Sequence, residues 1–355
     1  MSTAYQTVQW NRHKRIYDVA IWASVILYIV AFIVITTLTH PSPNDLGPEP
    51  VLLMRATATC AFIMLHVILM IGPLARISTR FAPLLYNRRH LGVSMFLVAL
   101  VHGILATLVY HGMGNANPII GIFTDNQRYD SLAQFPFQPL GFAALCILYL
   151  MTATSHDCWL KNLGPSFWKA MHMLVYVAYA LIVMHVALGA LQSEHHPAYV
   201  ALTAIGVVLI AGLHLFVGVR EARFDSGGPS RADWVSVGSL DDIPPDRALV
   251  VAVEGQERVA VYRNGQTLSA ISNVCAHQGG PLGEGKIVDG CLTCPWHGYQ
   301  YDVQTGQSPP PFTEKVATYH LKLEGREVLL DPKPLPPGTP VEPTAIPSTD
   351  EVSHA

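Results

Sequence analysis

Six long apolar runs in the first 219 residues limit what this chain can fold into. Each contains at least 20 consecutive residues without Asp, Glu, Lys or Arg, and about 20 such residues cross the hydrocarbon core of a bilayer as a helix. The runs span residues 19–38, 56–75, 91–110, 136–155, 170–191 and 198–219. They predict an α-helical membrane bundle of six transmembrane helices over residues 19–219.

The charge content of the chain agrees with a membrane protein. Only 13% of the 355 residues are charged, compared with about 25% in a typical soluble domain. The formal net charge of −3 does not suggest a nucleic-acid partner, so we expect membrane lipid as a partner and no nucleic acid. The six cysteines are too sparse for the disulfide framework of a small secreted protein.

Lysine and arginine residues concentrate on one side of the predicted bundle, and the loops of the other side are poor in them, with Arg128 as the main exception. The residues on the basic side are Arg12, Lys14, Arg15, Arg76, Arg80, Arg88, Arg89, Lys161, Lys169, Arg220 and Arg223. The positive-inside rule therefore places both termini in the cytoplasm of a multi-pass protein of the plasma (inner) membrane. The first run is too long for a signal peptide and lacks a small-residue cleavage site, so we expect it to be retained.

Two segments outside the predicted helices are assigned from composition alone. "FDSGGPS" at 224–230 is rich in Gly and Ser, and it predicts a linker over 220–232. The tail over 333–355 is rich in Pro, Glu and Thr, and we expect it to be disordered. Residues 1–18 are predicted to form a cytoplasmic N-terminal segment.

A small all-β domain is predicted over residues 233–332. Short runs rich in β-branched residues occur at 248–253 and 259–262, separated by turn residues. "RNGQ" at 263–266 is typical of a β-hairpin, because Asn-Gly tolerates positive φ. The membrane bundle is therefore followed by a second domain with a different architecture.

The predicted β domain contains four soft-metal ligands in two short motifs. The spacing is Cys-x-His, then sixteen residues, then Cys-x-x-His, and the ligands are Cys275, His277, Cys294 and His297. Two thiolates and two imidazoles suit zinc or an iron–sulfur cluster. A glycine-rich loop follows each pair, and "SPPPF" at 308–312 offers a third, covering loop. A zinc knuckle requires none of these loops.

This stretch resembles the Rieske iron–sulfur family over about residues 234–332. The resemblance implies a [2Fe-2S] cluster in which Cys275 and Cys294 hold one iron and His277 and His297 hold the other. Two neutral imidazoles in place of thiolates make such a cluster less negative and raise its reduction potential.

The chain departs from the high-potential cytochrome bc type of Rieske protein. Gly280 and Trp296 stand where that type has two bridging cysteines. Tyr301, however, matches a tyrosine that donates a hydrogen bond to a cluster cysteine, which raises the potential. The resemblance therefore implies an intermediate to low potential. Cys291 is interpreted as a buried strand cysteine without a redox role.

A Rieske cluster transfers one electron and is not itself a site of substrate chemistry. Rieske oxygenases add a mononuclear iron in a separate catalytic domain, and no remaining stretch of this sequence is long and soluble enough to provide one. We therefore do not expect the chain to be an oxygenase by itself.

The predicted membrane bundle contains an unusual number of histidines. Six lie in or at the edges of its apolar runs, namely His66, His90, His102, His172, His185 and His214. Histidine inside a bilayer is costly and often functional, and haem takes axial histidines from two helices. Hydrogen bonding between helices is the alternative use. Four histidines at outer helix ends or loops are expected to be solvated, or weak metal or proton sites, namely His40, His111, His195 and His196.

Two stretches resemble ferric reductase-like transmembrane domains, especially haem membrane subunits of the bacterial methionine sulfoxide reductase system. They are "GPLARISTRFAPLLYNRRHLGVSMFLVALVHG" at 72–103 and "FWKAMHMLVYVAYALIVMH" at 167–185, within a resemblance that covers about 52–219. The resemblance implies a haem-binding domain of b-type haem, with His102, His172 and His185 as ligands. His90 is assigned from its likeness to the inner histidine of related NADPH oxidases.

The spacing of these histidines allows two stacked haems. His90 and His102 are 12 residues apart, and His172 and His185 are 13 apart, which corresponds to rises of about 18 and 20 Å. An inner haem would use His90 and His172, and an outer haem His102 and His185. These steps do not return to one face of an ideal helix, so a single haem on His102 and either His172 or His185 stays open. His66 and His214 are reserve ligands.

The combination predicts a membrane-bound electron-transfer protein. The β domain occupies the place where ferric reductase-like proteins carry a flavin and nicotinamide domain, and "GGPLGEG" at 279–285 lacks the strand-to-helix context of a dinucleotide loop. We expect electrons from a soluble cytoplasmic donor to reach the cluster, then the haem or haems, then an outer acceptor. The acceptor classes are ferric chelates, oxygen, a periplasmic partner protein and quinone.

Two other functions are compatible with the sequence. In the first, the haem domain oxidises quinol or an outer donor, and the β domain delivers electrons to a cytoplasmic oxygenase. In the second, the protein is a redox sensor or anchor without turnover. A noncovalent flavin is also left open.

Overall fold

The fold is that of a computed structural model, which describes residues 12–39, 49–114, 117–155, 159, 163, 165–193, 197–226, 228, 233–277, 279–296, 298–310 and 312–347. The chain forms two compact units. Among the described residues, the first comprises 12–74 and 87–214, and the second comprises 75–86 and 215–347. The first unit is helical, and the second contains the β-strands.

The helices of the described chain are α1 (Arg12–Thr39), α2 (Glu49–Ile77), α3 (Ala82–His111), α4 (Pro118–Thr124), α5 (Gln138–Ala153), α6 (Pro165–His172), α7 (Val175–Leu188), α8 (Ala190–Ser193) and α9 (Pro197–Ser226). Five segments are long and apolar enough to cross a membrane: Arg15–Thr39, Glu49–Ile77, Asn87–His111, Phe167–Ser193 and Pro197–Ser226. This is an integral membrane protein.

The fourth predicted span is shorter in the structure than in the sequence. Helix α5 contains 16 residues, which rise about 24 Å, less than the roughly 30 Å of a bilayer core. A proline stands in its first turn, and Thr154 and Ser155 at its end direct their hydroxyl groups back to the Leu150 and Met151 carbonyls. The structure therefore supports five full-length spans and one short apolar helix.

The helices of the first unit bury small and aliphatic residues against one another. Leu65, Phe96, Ala144 and Ala178, from α2, α3, α5 and α7 in that order, belong to one buried cluster. Ala144 and Ala178 are 1% and 0% exposed, and small residues of this kind let helices approach closely without a polar contact. This close approach holds α5 against α7, which carries His185.

The β-strands of the second unit are β1 (Val235–Ser239), β2 (Ala248–Val251), β3 (Val259–Asn264), β4 (Thr267–Ser272), β5 (Lys286–Val288), β6 (Cys291–Thr293), β7 (Gln300–Asp302), β8 (Thr318–Tyr319), β9 (Leu321–Glu324), β10 (Glu327–Leu330) and β11 (Thr344–Ala345). They form three antiparallel sheets, ordered β1-β10-β9, β11-β4-β3-β2 and β5-β6-β7, and β8 also pairs with β4. The predicted hairpin is confirmed: β3 and β4 are joined at Gly265, whose φ is +57°.

The third sheet carries the cluster motifs. Strand β6 lies between β5 and β7, with Leu292 paired to Tyr301. Both of these side chains are fully buried in the core around Cys275 and Cys294. The small sheet thus forms the base on which the two ligand loops stand.

The predicted linker over 220–232 is helical in its first half. Helix α9 continues to Ser226. Its last turns are stabilised by the Arg258 guanidinium of the following domain, which binds the carboxylates of Glu221 and Asp225, one helical turn apart. Arg258 donates to Asp225 at 2.6 Å and also to Glu221, and its guanidinium lies 5.2 Å from the centre of the Phe224 ring. Helix α1 likewise begins at Arg12, within the segment predicted to precede it.

The tail differs from the prediction of disorder over most of its described length. Leu335, Val341 and Ile346 donate backbone hydrogen bonds to carbonyl groups of the β unit, and β11 pairs with β4. A proline-rich segment has few backbone N–H groups that need an acceptor. It can therefore lie along a domain in an extended conformation, without the alternation of apolar and polar side chains that is typical of a strand. Residues 348–355 lie outside the described residues.

Candidate functional site

Cys275 begins the first of two loops that converge below the β unit's third sheet. Its backbone N–H donates to the Gly280 carbonyl at 2.9 Å, and the Gly279 N–H donates back to the Cys275 carbonyl at 2.7 Å. Gly279 has a φ of +68°, a conformation that other residues rarely adopt. The loop is thereby closed around the cysteine, whose residue is 2% exposed.

Cys294 begins a second loop that is closed in the same way. Its N–H donates to the Tyr299 carbonyl at 2.7 Å, and the Gly298 N–H donates to the Cys294 carbonyl at 2.9 Å. Gly298 has a φ of +71°, and Cys294 is also 2% exposed. Two Cys-containing motifs of different spacing therefore adopt one loop geometry.

The two loops meet at Gly280. A Cβ atom on this residue would lie 2.8 Å from the Cys294 Sγ and 3.2 Å from the Trp296 ring, so only glycine fits. This close approach leaves the first loop's backbone directly beside the second loop's sulfur. The pairing of two buried thiols from facing glycine-rich loops fits a group that binds soft ligands.

The described imidazole of the motif is held by aromatic stacking. The His277 ring lies parallel to the Tyr299 ring, with centroids 4.5 Å apart and an angle of 12°. Tyr299 in turn contacts Phe312 edge-on at 5.0 Å and donates its hydroxyl to Glu314. The proline-rich stretch thus reaches the site through Phe312. His297, the fourth predicted ligand, lies outside the described residues.

Tyr301 places a buried hydroxyl beside the first sulfur. Its oxygen lies 3.3 Å from the Cys275 Sγ. Burial, and next the negative charge of the Cys275 thiolate, hold the pKa of Tyr301 well above its usual value, so the phenol keeps its proton. It can therefore donate a hydrogen bond to the thiolate.

In the membrane unit, His102 and His185 lie close together. Their ring centroids are 6.4 Å apart, and two axial imidazoles that share one metal stand at about this separation, since each metal–nitrogen bond is about 2 Å. The Nδ1 atom of His102 meets the Met54 carbonyl at 3.1 Å, and that of His185 meets the Phe137 carbonyl at 3.0 Å. Because a carbonyl accepts only from N–H, both rings keep the lone pair on Nε2 for a metal.

Two family models match the chain. The model described as "Rieske [2Fe-2S] domain" matches residues 233–320, and the model described as "Ferric reductase like transmembrane component" matches residues 55–183. The chain belongs to the Rieske family through its C-terminal domain, and a segment that matches the ferric reductase-like transmembrane model precedes that domain. Both predicted resemblances are thereby confirmed, and the protein is a membrane electron-transfer protein.

Known proteins resemble one half of the chain or the other. The anthranilate 1,2-dioxygenase ferredoxin subunit of Burkholderia cepacia is 35% identical over 98 residues, which cover 27% of this chain and 90% of the ferredoxin. The heme-binding subunit MsrQ of the protein-methionine-sulfoxide reductase of Ralstonia nicotianae is 26% identical over 205 residues, 58% of this chain and 87% of that protein. Magnetosome protein MamZ of Paramagnetospirillum magneticum is 29% identical over 183 residues, 51% of this chain and 27% of MamZ.

The described residues of the Rieske domain fit a two-iron cluster. No group of three or more His, Cys, Asp or Glu side chains in the described chain surrounds a single metal position. A Rieske cluster does not require one, because each of its two irons takes only two protein ligands. The features that fit the cluster are the two buried cysteines, the stacked His277 ring and the absence of a side chain at Gly280.

His90 and His172, the ligands predicted for a second haem, are each held by different neighbouring groups. His90 Nδ1 lies 2.8 Å from a carboxylate oxygen of Asp18. His172 Nδ1 bonds to the Trp168 carbonyl at 3.0 Å, and its ring stacks on the Trp168 indole at 3.7 Å. The Nε2 atom of His172 is buried and has no hydrogen-bond partner among the described residues. An orphaned imidazole nitrogen of this kind fits a metal ligand.

The reserve ligands are engaged differently from His102 and His185. His66 uses both nitrogens, because Nδ1 bonds to the Phe62 carbonyl at 2.8 Å and Nε2 meets the Tyr179 hydroxyl at 3.2 Å. His214 Nδ1 bonds to the Ile210 carbonyl of its own helix at 3.0 Å. His66 therefore has a complete set of partners without a metal.

Several sequence interpretations need correction or stay outside the structure. Of the two uses expected for His111, solvation is wrong, because the residue is 6% exposed and contacts Asp125 and Gln138; a weak metal or proton site stays a prediction. Cys291 lies on a strand as predicted, but it is half-buried, and burial raises the pKa of its thiol. His40, His195 and His196 lie outside the described residues. Asp18 was not identified from the sequence as the partner of His90. A lone carboxylate at the start of an apolar run is the signal that could have indicated it.

We expect Tyr301→Phe to lower the reduction potential of the cluster. The hydroxyl stabilises the thiolate most in the reduced, more negative cluster, and a net loss of about 1 kcal/mol corresponds to roughly 40 mV for one electron. The measurement is an EPR-monitored redox titration of the full chain. Tyr319→Phe removes another buried hydroxyl of the same domain and serves as the control. Equal potentials in Tyr301→Phe and the wild type would contradict the assignment.

Proposed function

We propose that this protein carries single electrons between its cytoplasmic Rieske domain and b-type haem in its membrane domain, outward to an acceptor on the far side. The observation that carries the haem half is the pairing of His102 with His185, with Nδ1 of each ring committed to a backbone carbonyl. The matches to the Rieske and ferric reductase-like family models support the cluster and the transfer of electrons between the two domains.

Cys275 and Cys294 are proposed to hold one iron of the cluster, and His277 and His297 the other. When bound, the cluster would accept and donate one electron, and this transfer requires no covalent change in the protein. What this chain contributes is burial of both thiols, a donor hydroxyl on Tyr301 and the stacked Tyr299 ring that fixes His277. These contacts exclude water from the sulfurs and hold the ligands in a single arrangement.

We propose that His102 and His185 would hold one haem, and that His90 and His172 would hold a second. Support for the second comes from the orphaned Nε2 of His172 and from the Asp18 carboxylate, which orients His90. A single haem on His102 and either His172 or His185 remains the alternative arrangement. Backbone carbonyl groups orient the rings of His102, His172 and His185, and the Asp18 carboxylate orients that of His90.

The sidedness of the protein follows from six proposed spans, with α5 as the short fourth one. An even number of spans returns the chain to the side where it began, and the basic loops assign that side to the cytoplasm. The Rieske domain follows the last span, so it is proposed to lie in the cytoplasm as well. A soluble cytoplasmic protein can then donate the electrons.

Outward transfer is favoured because the Rieske domain follows the membrane domain where related reductases carry their electron-input module. The acceptor is then a ferric chelate, oxygen, a partner protein or quinone on the far side. One observation favours the reverse direction as the second candidate. The domain is 35% identical to a dioxygenase ferredoxin subunit, so it could also deliver electrons to a cytoplasmic oxygenase.

We expect His102→Ala and His185→Ala each to lose about one haem per chain, because either change removes one of two axial ligands. The measurement is the pyridine haemochrome content of the purified full chain, normalised to protein. His214→Ala is the matched control, because it removes another intramembrane histidine whose Nδ1 bonds to a carbonyl. Loss of haem in His214→Ala, with haem kept in the other two variants, would sink this ligand assignment.

Cys294→Ser tests electron entry through the Rieske domain. We expect haem content to be unchanged, and the rate of haem reduction by a reduced soluble ferredoxin to fall by an order of magnitude or more, because the serine cannot complete the cluster. Stopped-flow absorbance of the haem measures this rate. Cys291→Ser, three residues away on β6, is expected to react like the wild type. Unchanged reduction of Cys294→Ser would show that electrons enter without the Rieske domain.

A further inference from the structure

A buried histidine at the end of α3 has side-chain partners at both of its ring nitrogens. His111 Nδ1 lies 2.5 Å from a carboxylate oxygen of Asp125, and Nε2 lies 3.1 Å from the side-chain oxygen of Gln138. Burial of an unpaired polar ring is costly, so these contacts explain how the chain tolerates the histidine there. We refer to His111, Asp125 and Gln138 as the His111 cluster.

Gly121 closes over the His111 cluster. A Cβ atom at this position would lie 2.8 Å from the His111 Nδ1 and 2.7 Å from the Asp125 carboxylate. The Asp125 N–H donates to the Gly121 carbonyl at 3.0 Å, which holds the carboxylate at the end of α4. Glycine is therefore required for the histidine and the carboxylate to meet.

The His111 cluster can satisfy its hydrogen bonds with or without an added proton. With His111 protonated, both nitrogens donate, to Asp125 and to the amide oxygen of Gln138. With His111 neutral, Nδ1 still donates to Asp125, and a half-turn of the Gln138 amide offers an N–H group to Nε2. Neither state leaves a buried polar atom unpaired, which would be unfavourable.

One end of the His111 cluster reaches solvent. The Asp125 side chain is 49% exposed, whereas the His111 side chain is 5% exposed. In the described chain, Asp125 is the charged group in contact with His111, and the group that faces it from α5 is the neutral Gln138. Protons can thus pass between water and the buried ring through a single carboxylate.

The other end of the His111 cluster adjoins a predicted haem ligand. Gln138 directly follows Phe137, whose carbonyl accepts from His185 and whose ring centroid lies 5.2 Å from that of His185. A negative charge that appears at a metal on His185 stabilises a proton nearby, and this effect is strong where little water is present.

We propose that the His111 cluster is a proton-loading site coupled to the redox centre on His102 and His185. When that centre gains one electron from the donor, one proton moves from water through Asp125 onto the cluster, and it leaves again on oxidation. The inference rests on the proposed function, because it requires a redox centre on the histidine pair. It favours acceptors whose reduction consumes protons, such as a quinone, over those that accept an electron alone.

The test is the pH dependence of the haem midpoint potentials in the full chain in detergent. We expect one midpoint to fall as pH rises, because reduction raises the proton affinity of the cluster. At fixed potential, the ratio of reduced to oxidised haem should change by up to tenfold per pH unit, which is 59 mV for one electron. His111→Gln should flatten this dependence, and Asp125→Asn should reduce its slope.

Asp130→Asn is the control, because it removes an exposed carboxylate five residues further along and should leave the pH dependence unchanged. A pH-independent midpoint in the wild type, or a full dependence in both His111→Gln and Asp125→Asn, would overturn the proposal. If His111→Gln does not bind haem, Asp125→Asn decides alone, because it keeps the buried ring. Absence of haem from the wild type defeats the proposed function itself, and absorbance reveals this separately.

Discussion

An imidazole inside a bilayer must satisfy both of its nitrogens, and this requirement organises the membrane half of the protein. Carbonyl groups of Met54 and Phe137 take the Nδ1 protons of His102 and His185, so each ring keeps a lone pair for a metal. Met54 lies inside α2, and Phe137 immediately precedes α5. A carbonyl oxygen has two lone pairs, so it can accept from a histidine in addition to a backbone N–H. The backbone of neighbouring segments thus orients both rings.

The Rieske half solves a similar problem for sulfur. A buried thiolate needs hydrogen-bond donors and small neighbours, and the Rieske domain supplies them from a tyrosine side chain and a glycine. Gly280 lets the first loop approach Cys294, and Tyr301 offers its hydroxyl to Cys275. In both halves, charge is placed where water is scarce, so a small number of nearby dipoles controls how easily an electron is accepted.

Local patterns predicted most of the architecture, and contacts between distant segments account for what they missed. Apolar runs and the Cys-x-His and Cys-x-x-His motifs are continuous in sequence, so the bundle and the β domain could be predicted, whereas the pairing of His102 with His185 follows only from the family resemblance. The partners of His90 and His111 could not be predicted, because Asp18 is 72 residues from His90 and Asp125 lies beyond α4, 14 residues from His111. The prediction of a disordered tail was wrong for residues 333–347, because composition alone does not indicate the hydrogen bonds that the tail makes to carbonyl groups of the β unit.

The most direct test of outward electron transfer is a combined optical and low-temperature EPR redox titration of the full chain, with haem and iron quantified. The account predicts a Rieske signal, haem in the membrane domain and a cluster that titrates below the haem, so that electrons move outward with a driving force. A cluster that titrates well above every haem would contradict this direction and favour delivery to a cytoplasmic oxygenase. A protein with a cluster but no haem would contradict the membrane half of the account.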